Sequence, residues 1–354
     1  MRIVLDLQEA QSENRFRTTG RYSLALARAI AREATQHEIW LVLSGRFPQS
    51  IESLRAEFTD LIPLERIRVV ELPGPVAEFD LANSWRMQAA ELIREKFLAD
   101  LRPDIVHNST MLEGWTNEVV TSSRRLNLTI PTSATIYDVN PLLRVVTALC
   151  SAAQKRSILR HAQSLKQTDL LLAISESSRR EAIEALHISP ERIVTIGAGI
   201  DKRLHEPWQF RDAQTKLIAC YDLRRPFVLY AGAVEPCRNV EGLITAFALI
   251  PQPVRLAHQL VIISRICEHD RRRLADTARK HGLDTGEILY FDHVPADDLR
   301  LFYAACAVSV FPSFDDGLAF SALEAMAQGA PVIGSNRTGI REIIDRNDAL
   351  FDPQ

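Results

Sequence analysis

Short apolar runs alternate with amphipathic, helix-period segments along most of the chain. Runs such as RIVLDL, IWLVLS and IRVVEL are followed by segments with apolar positions at helical spacing, for example residues 21–34 and 85–100. Runs of this kind are typical of strands that are buried on both faces of a sheet. The regular alternation of strands and helices predicts an α/β fold with mostly parallel sheets and helices on both faces.

One polar stretch interrupts this alternation. The segment KRLHEPWQFRDAQTK contains a proline and has no clear period. We interpret residues 206–220 as a linker between an N-terminal domain, 1–205, and a C-terminal domain, 221–354. A chain of 354 residues is long enough for two domains that each bury a core. Because the chain stops at ALFDPQ, on a predicted strand, we expect either a truncated C-terminal domain or one piece of a longer polypeptide.

The composition of the chain excludes several classes of protein. With 46% apolar and 25% charged residues the chain should be globular, and its net charge of -3 argues against nucleic acid as the main partner. The five cysteines occur singly without C-x-x-C spacing, so we expect no disulfide framework or metal knuckle, and a reducing cytoplasm. No run of about 18 apolar residues is present, which disfavours membrane spanning and leaves peripheral membrane contact open.

The segment FPSFDDGLAFSALEAMAQGAPV predicts a buried strand, a turn at FDDG and a helix. Asp316 then lies in the loop at the carboxyl end of the strand. Gly317, Leu318 and Ala319 bring backbone N–H groups and the positive end of the helix to the same place. Such a loop is suited to a phosphate group.

Glu324 is an acidic residue about one turn into an otherwise apolar helix. A buried carboxylate needs hydrogen-bond donors, and the two vicinal hydroxyls of a ribose could supply them. Capping of a neighbouring backbone group, or pairing with an arginine, is the simpler explanation of the residue at this point.

Three further segments place polar residues or glycines beside predicted element ends. In LYAGAVEPCRNVEGL a strand ends in Gly232, and Arg238 precedes a helix, where it could bind an anion held between the domains or be a solvated loop arginine. Gly20 is predicted to lie in a turn before an amphipathic helix. It either only allows the chain to turn there or belongs to a weak match to a glycine-rich, phosphate-binding loop. Asp138 ends a strand before a proline and is most simply a turn residue.

Other chemistry is less well supported. His107 is interpreted as a strand-end histidine, and Ser175 as a helix N-cap rather than a nucleophile. The chain has no Asp-x-Asp pair for a divalent cation, no G-x-S-x-G elbow and no G-x-x-x-x-G-K-[ST] loop. The first absence leaves no evident divalent-cation clamp for a diphosphate, and the other two argue against common hydrolases and nucleoside triphosphatases.

Taken together, the motifs resemble a retaining glycosyltransferase of family four over nearly the whole chain. SFDDGLAFSALEAMAQGAPVI is similar to that family's S-x-x-E-G-x-G-x-x-x-L-E-A-M-A-x-G-x-P-V-I signature, and YAGAVEPCRNVEGLITAFALI to its donor-phosphate segment. The resemblance implies the GT-B fold, with two facing Rossmann-like, doubly wound domains and a cleft between them. GRYSLALARAI, RPDIVHNSTMLEGW and TIYDVNPLL are similar to a bacterial branch that builds surface polysaccharide, often in multi-domain chains.

The resemblance assigns roles on the donor side. Asp316 would face the hydroxyls of the donor sugar, and residues 317–320, ending at Phe320, would offer backbone groups to the sugar and diphosphate. Glu324 would hold the nucleotide ribose. Arg238 would neutralise the diphosphate in place of the family lysine, in the segment that begins with Gly232.

On the acceptor side, Asp138 matches the family's acceptor-side aspartate, and Gly20 matches one glycine of its N-terminal loop. Asp316, Arg238 and Asp138 are therefore the predicted catalytic side chains. The chain departs from the family at several positions: Asp316 replaces a glutamate, Ala233 an arginine, Thr18 a glycine and Tyr137 a histidine.

The implied reaction moves a hexose, with mannose the first choice, from a nucleotide-diphosphate sugar, with GDP-mannose the first choice, to a saccharide or lipid-linked saccharide. It would retain the anomeric configuration and need no metal or cofactor, at the inner face of a membrane. Two alternatives stay open: a nucleotide-sugar 2-epimerase, and a non-catalytic domain that binds sugar nucleotide inside a multi-domain transferase.

Overall fold

The computed structural model describes residues 1–16, 18–127, 129–137, 139, 151–200, 206–284, 286–292 and 294–354. The chain divides into two compact units, Met1–Ala198 and Gly199–Gln354. The division falls a few residues before the predicted end of the N-terminal domain at residue 205.

The N-terminal unit is built on a seven-stranded sheet in the order β3-β2-β1-β4-β5-β6-β7, with parallel pairing throughout its described strands. The strands are β1 Arg2–Asp6, β2 Glu38–Ser44, β3 Ile67–Val70, β4 Ile105–Asn108, β5 Thr132–Ile136, β6 Leu170–Ala173 and β7 Ile193–Thr195. The described helices are α1 Thr18–Glu33, α2 Pro48–Phe58, α3 Ser84–Asp100, α4 Ala152–Gln167 and α5 Glu176–Leu186.

This sheet is buried on both faces, as its apolar runs predict. In β1, Val4 packs with α3 residues such as Met87 on one face, and Leu5 packs with Ala27 of α1 and Phe58 of α2 on the other. Successive strand residues point to opposite faces, so an uninterrupted apolar run supplies both cores.

The C-terminal unit repeats this plan. Its six-stranded parallel sheet has the order β10-β9-β8-β11-β12-β13. The strands are β8 Phe227–Ala231, β9 Gln259–Ile263, β10 Ile288–Phe291, β11 Val308–Phe311, β12 Val332–Ser335 and β13 Leu350–Phe351. The helices are α6 Phe210–Tyr221, α7 Val240–Ala248, α8 Gln252–Ala257, α9 Glu268–Lys280, α10 Ala296–Ala305, α11 Phe320–Ala327 and α12 Thr338–Ile343.

The segment 206–220 is mostly helix, contrary to the linker interpretation. Helix α6 begins at Phe210, and its Ala213 and Leu217 are buried in the same core cluster as Leu301 and Phe302 of α10. These apolar positions, four residues apart, were too few among polar neighbours to reveal the helix by periodicity. Most of the predicted linker is therefore part of the C-terminal unit.

Each sheet has one point where the strand order reverses direction. In the N-terminal unit this is between β1 and β4, and in the C-terminal unit between β8 and β11. Ligands of open parallel sheets bind beside the carboxyl ends of the strands at such a switch point. The loops that follow these four strands are therefore where each unit would bind a ligand.

Candidate functional site

The loop after β8 carries Arg238 to the switch point of the C-terminal unit. A 3-10 turn, Pro236–Arg238, ends at Asn239, which has a left-handed backbone with φ 53°. Asn239 donates from Nδ2 to the carbonyl of Pro312, and the amide of Phe314 donates to the carbonyl of Cys237 at 2.8 Å. These bonds fasten the loops after β8 and β11 to each other, as expected for neighbouring strands.

Gly232, directly after β8, allows a close approach. Its amide donates to the carbonyl of Ile263 at 3.1 Å, and a Cβ there would lie 3.0 Å from the hydroxyl oxygen of Tyr230. That hydroxyl donates to the carbonyl of Ala233 at 2.5 Å. Gly232 thus shapes the start of the Arg238 loop.

Arg238 and Asp316 form an ion pair through guanidinium Nη1 and carboxylate Oδ2. Their side chains are 28% and 17% exposed, so the pair is mostly shielded from water. Burial alone would lower the pKa of the Arg238 guanidinium, but Asp316 and the other groups around it outweigh burial and raise that pKa. Arg238 therefore carries a fixed positive charge at the carboxyl edge of the sheet.

The loop after β11 is held against α12. The amide of Gly339 donates to the carbonyl of Asp316 at 3.0 Å, and a Cβ on Gly339 would lie 2.3 Å from the carbonyl oxygen of Gly317. Gly317, Leu318 and Ala319 are buried. Only glycine at 339 lets the two backbones come this close.

Helix α11 begins at Phe320, with Ala319 as an N-cap that makes no side-chain hydrogen bond. The amide of Phe320 donates to the carbonyl of Leu318 at 2.7 Å. The helix start therefore follows directly on the Asp316 turn, as the sequence predicts.

Glu324 is buried in α11, with 7% of its surface exposed, and is flanked along the helix by the fully buried Ala322 and Ala325. The expected burial of this carboxylate is confirmed. Its proposed ribose contact stays a prediction.

Asp315 is a polar residue of this loop that the sequence reasoning missed. Its Oδ1 atom is buried without a hydrogen-bond partner among the described residues. A buried carboxylate oxygen without a donor is unfavourable by about 1–3 kcal/mol. The two consecutive aspartates at 315 and 316 are the sequence signal that could have indicated Asp315.

Gly20, one of the predicted N-terminal site residues, lies elsewhere than the sequence predicts. Gly20 lies in the first turn of α1, and not in a turn before it. A Cβ on Gly20 would lie 2.3 Å from the carbonyl oxygen of Asn14, so this glycine admits the 3-10 turn Glu13–Phe16 against the helix. Asp138 lies outside the described residues.

His107 and Ser175 have structural roles. Nδ1 of His107 lies 2.9 Å from Oγ of Ser133, and its Nε2 lies 3.2 Å from Oγ1 of Thr135. Ser175 accepts a hydrogen bond from the amide of Ser178 at 2.9 Å, so its predicted N-cap role is confirmed.

We expect His107 to make the stability of the protein depend on pH. Burial lowers the pKa of its imidazole from 6.5 to about 4, against an opposing effect of Asp6. Between these values the unfolded chain binds the proton and the folded protein does not, so the contribution of His107 to stability should be complete above pH 6.5 and fall by about 3 kcal/mol towards pH 4. Urea unfolding between pH 7.5 and 4.5 should show a steeper loss for wild type than for His107→Gln; equal slopes would rule out this histidine as the cause.

Two sequence-family models match the chain. The model described as Glycosyltransferase Family 4 matches residues 19–204, just over half of the chain, and the model described as Glycosyl transferases group 1 matches residues 221–354. The chain belongs to glycosyltransferase family 4. The family predicted from the motifs is confirmed.

Relatives of this family 4 chain include mannosyltransferases of Escherichia coli. The serotype-specific mannosyltransferase WbdA is 28% identical over 354 residues, which make up 100% of this chain and 42% of that protein. The O-antigen chain mannosyltransferase B is 31% identical over 194 residues, 54% of this chain and 49% of that protein. The chain spans less than half the length of these relatives.

Solved structures share the fold of the family 4 chain. HepE of Anabaena, in complex with UDP and glucose, superposes with a TM-score of 0.68 at 19% identity, covering 100% of this chain and 86% of that one. Sucrose-phosphate synthase of Thermosynechococcus elongatus gives 0.69 at 20% identity, with the same coverage. The two parallel-sheet units are those of the GT-B fold, as predicted.

Three findings concern metal ions, membrane spans and cysteines. Among the described residues, no group of three or more His, Cys, Asp or Glu side chains could hold a metal ion. In the same part of the family 4 chain, every helix is too short or too polar to cross a bilayer. The described cysteines, Cys220, Cys237, Cys267 and Cys306, are free.

Proposed function

We propose that this family 4 chain transfers a hexose, with mannose as the first choice, from a nucleotide-diphosphate sugar to a hydroxyl of a saccharide or lipid-linked saccharide in surface polysaccharide synthesis. The observation that carries the proposal is the shielded Arg238 cation at the switch point of the C-terminal sheet, beside the Asp316 turn. The mannosyltransferase relatives favour mannose, and GDP-mannose is the donor to test first.

In this proposal the C-terminal unit binds the donor. The Arg238 guanidinium pairs with the diphosphate, and the positive end of α11 adds a favourable dipole. Glu324 accepts hydrogen bonds from the ribose hydroxyls. Asp316 faces the hydroxyls of the donor sugar and, through its ion pair, also orients Arg238.

The chemistry follows from this placement. When the bond between the anomeric carbon and the diphosphate breaks, negative charge grows on the leaving oxygen, and Arg238 stabilises it. The departing diphosphate accepts the proton of the incoming hydroxyl on the same face of the sugar. The anomeric configuration is thereby retained, without a covalent intermediate on the protein and without a metal.

A thermal-shift panel of GDP, UDP and ADP sugars tests donor binding. A ligand at about 100 times its dissociation constant should stabilise the protein by about 2.7 kcal/mol, which raises the melting temperature. We expect GDP-mannose to give the largest shift. If no sugar nucleotide shifts the melting temperature, the proposal is contradicted. If UDP or ADP sugars give a larger shift than GDP-mannose, the proposed donor is wrong and the preferred sugar nucleotide replaces it.

A further inference from the structure

Helix α3 turns apolar side chains outwards. On this helix Trp85, Leu92 and Ile93 are 64%, 40% and 44% exposed. Trp85 and Leu92 are about two helical turns apart and lie on the same side of the helix, and Ile93 is next to Leu92. A surface helix normally turns its apolar stripe to the core and its charged residues to solvent. The outer side of α3 therefore has an apolar character that the fold alone does not explain.

Charged residues fill the inner side of the same helix. Glu91 and Arg94 are 1% exposed, and Glu95 is 7% exposed. Arg94 forms an ion pair with Asp6, the last residue of β1, at 2.6 Å. The hydroxyl of Ser122 donates to Glu95 at 2.7 Å. These contacts fix the rotation of α3 about its axis, so its apolar side stays at the surface.

Helix α4 lies beside α3 and enlarges this surface. Arg160 of α4 forms ion pairs with Glu91 of α3 and with Glu78, which comes shortly before α3. Leu159, the residue before Arg160, is 69% exposed. Because Arg160 holds the two helices together, their exposed apolar side chains belong to one surface of the N-terminal unit. Four exposed apolar residues make up this two-helix surface: Trp85, Leu92, Ile93 and Leu159.

Positive charge surrounds the two-helix surface. Lys155 and Arg156 of α4 are exposed, and neither forms an ion pair among the residues that the structure describes. Helix α4 contains no acidic residue. The exposed acidic residue of α3, Asp100, pairs with Lys96 one turn away at 2.5 Å. Cations therefore outnumber exposed anions on the two helices.

We propose that the two-helix surface docks on an anionic lipid membrane. Trp85 and Leu159 enter the boundary between the headgroups and the acyl chains, and Lys155 and Arg156 pair with lipid phosphates. The guanidinium of Arg86, whose carbon lies 5.2 Å from the centre of the Trp85 ring, adds a further cation there. Tryptophan and leucine beside lysine and arginine are the residues with which proteins bind the membrane interface.

The charges favour a membrane over a protein partner. A second copy of this chain, docking by the same face, would bring Lys155 and Arg156 against identical cations. Lysine is also depleted in the interfaces of protein complexes. Anionic headgroups neutralise these cations while the acyl boundary takes up the apolar side chains, so one occupant satisfies both parts of the surface.

The two-helix surface reaches the edge of the sheet where a ligand would bind. In a parallel α/β unit, a helix that follows a strand begins at the carboxyl edge of the sheet, which is also the ligand-binding edge. Trp85 lies in the first turn of α3, and Lys155 lies in the first turn of α4. Docking would hold this edge close to the membrane. Under the proposed function, on which this last step rests, the acceptor is then a lipid-linked saccharide.

Binding to lipid vesicles, measured by flotation, tests the two-helix surface. Wild type should bind vesicles that contain phosphatidylglycerol and not vesicles of phosphatidylcholine alone. Trp85→Ser should weaken binding about tenfold, because one apolar side chain no longer enters the interface. Lys155→Glu combined with Arg156→Glu should weaken it at least about twenty-fivefold, since each cation near an anionic surface contributes about fivefold.

Two controls on the C-terminal unit match these changes. Phe210→Ser removes an aromatic side chain that is 55% exposed on α6. Arg272→Glu combined with Arg279→Glu reverses two charges on α9, where both side chains are 75% exposed. Both controls should bind the vesicles like wild type. Brominated acyl chains should quench wild-type fluorescence, and Trp85→Phe, which keeps an aromatic ring for binding, should lose this quenching.

Failure of folded wild type to bind anionic vesicles would overturn membrane docking, and so would wild-type binding by Trp85→Ser and by the double glutamate variant. A dimer in analytical ultracentrifugation that Trp85→Ser dissociates would also overturn it, since the surface would then bind protein. Vesicle binding needs no sugar nucleotide. If wild type binds the vesicles and transfers no sugar, only the proposed function fails; if it transfers mannose to a soluble disaccharide and binds no vesicles, only the docking fails.

Discussion

Arg238→Ala should lower kcat at least about a hundredfold, because removal of one donor that stabilises a developing anion costs about 3 kcal/mol. Arg238 is a shielded cation at the carboxyl edge of the C-terminal sheet, held in place by Asp316. Steady-state release of the nucleotide diphosphate measures the effect. Arg238→Lys restores the residue of the family motif and should recover part of the lost rate.

The matched control for this variant is Arg272→Ala. Arg272 is 75% exposed and pairs with Glu268 one helical turn away, a contact that contributes little. It should leave kcat unchanged. Near wild-type transfer by a folded Arg238→Ala protein would contradict the assigned role.

Glu324→Gln should weaken nucleotide-sugar binding about tenfold or more, because a neutral amide forms weaker hydrogen bonds with the ribose hydroxyls than a carboxylate does. Glutamine keeps the size of the side chain, so the apolar packing of α11 around Ala322 and Ala325 should survive. Isothermal titration calorimetry with the preferred sugar nucleotide measures the dissociation constant.

Glu268→Gln is the control, since Glu268 is an exposed carboxylate on α9. It should bind the nucleotide sugar like wild type. An unchanged affinity in Glu324→Gln would contradict the proposed ribose contact and leave Glu324 with a structural role in its helix.

The fold follows closely from the apolar pattern, because in a parallel α/β protein nearly every strand is a continuous apolar run. The resemblance added the assignment of these two units to the GT-B fold. The sequence pattern did not predict helix α6, because Ala213 and Leu217 are the only buried residues of this helix. The packing of α6 against α10 supplies what its local sequence lacks.

The site was predictable where its residues are close in the chain, and less so where they are distant. Asp316 and Glu324 share one segment with a recognisable spacing. The ion pair of Asp316 with Arg238 joins loops 78 residues apart, so it required the strand order.

The most direct test of the donor site and its chemistry is to identify, by mass spectrometry and NMR, the product that the protein forms from GDP-mannose and a mannose disaccharide. The account predicts a trisaccharide with a new α-linkage, the configuration of the donor, and loss of that product in Arg238→Ala. Free epimerised sugar without acceptor, a β-linkage, or binding of sugar nucleotides with no transfer to any saccharide would contradict it.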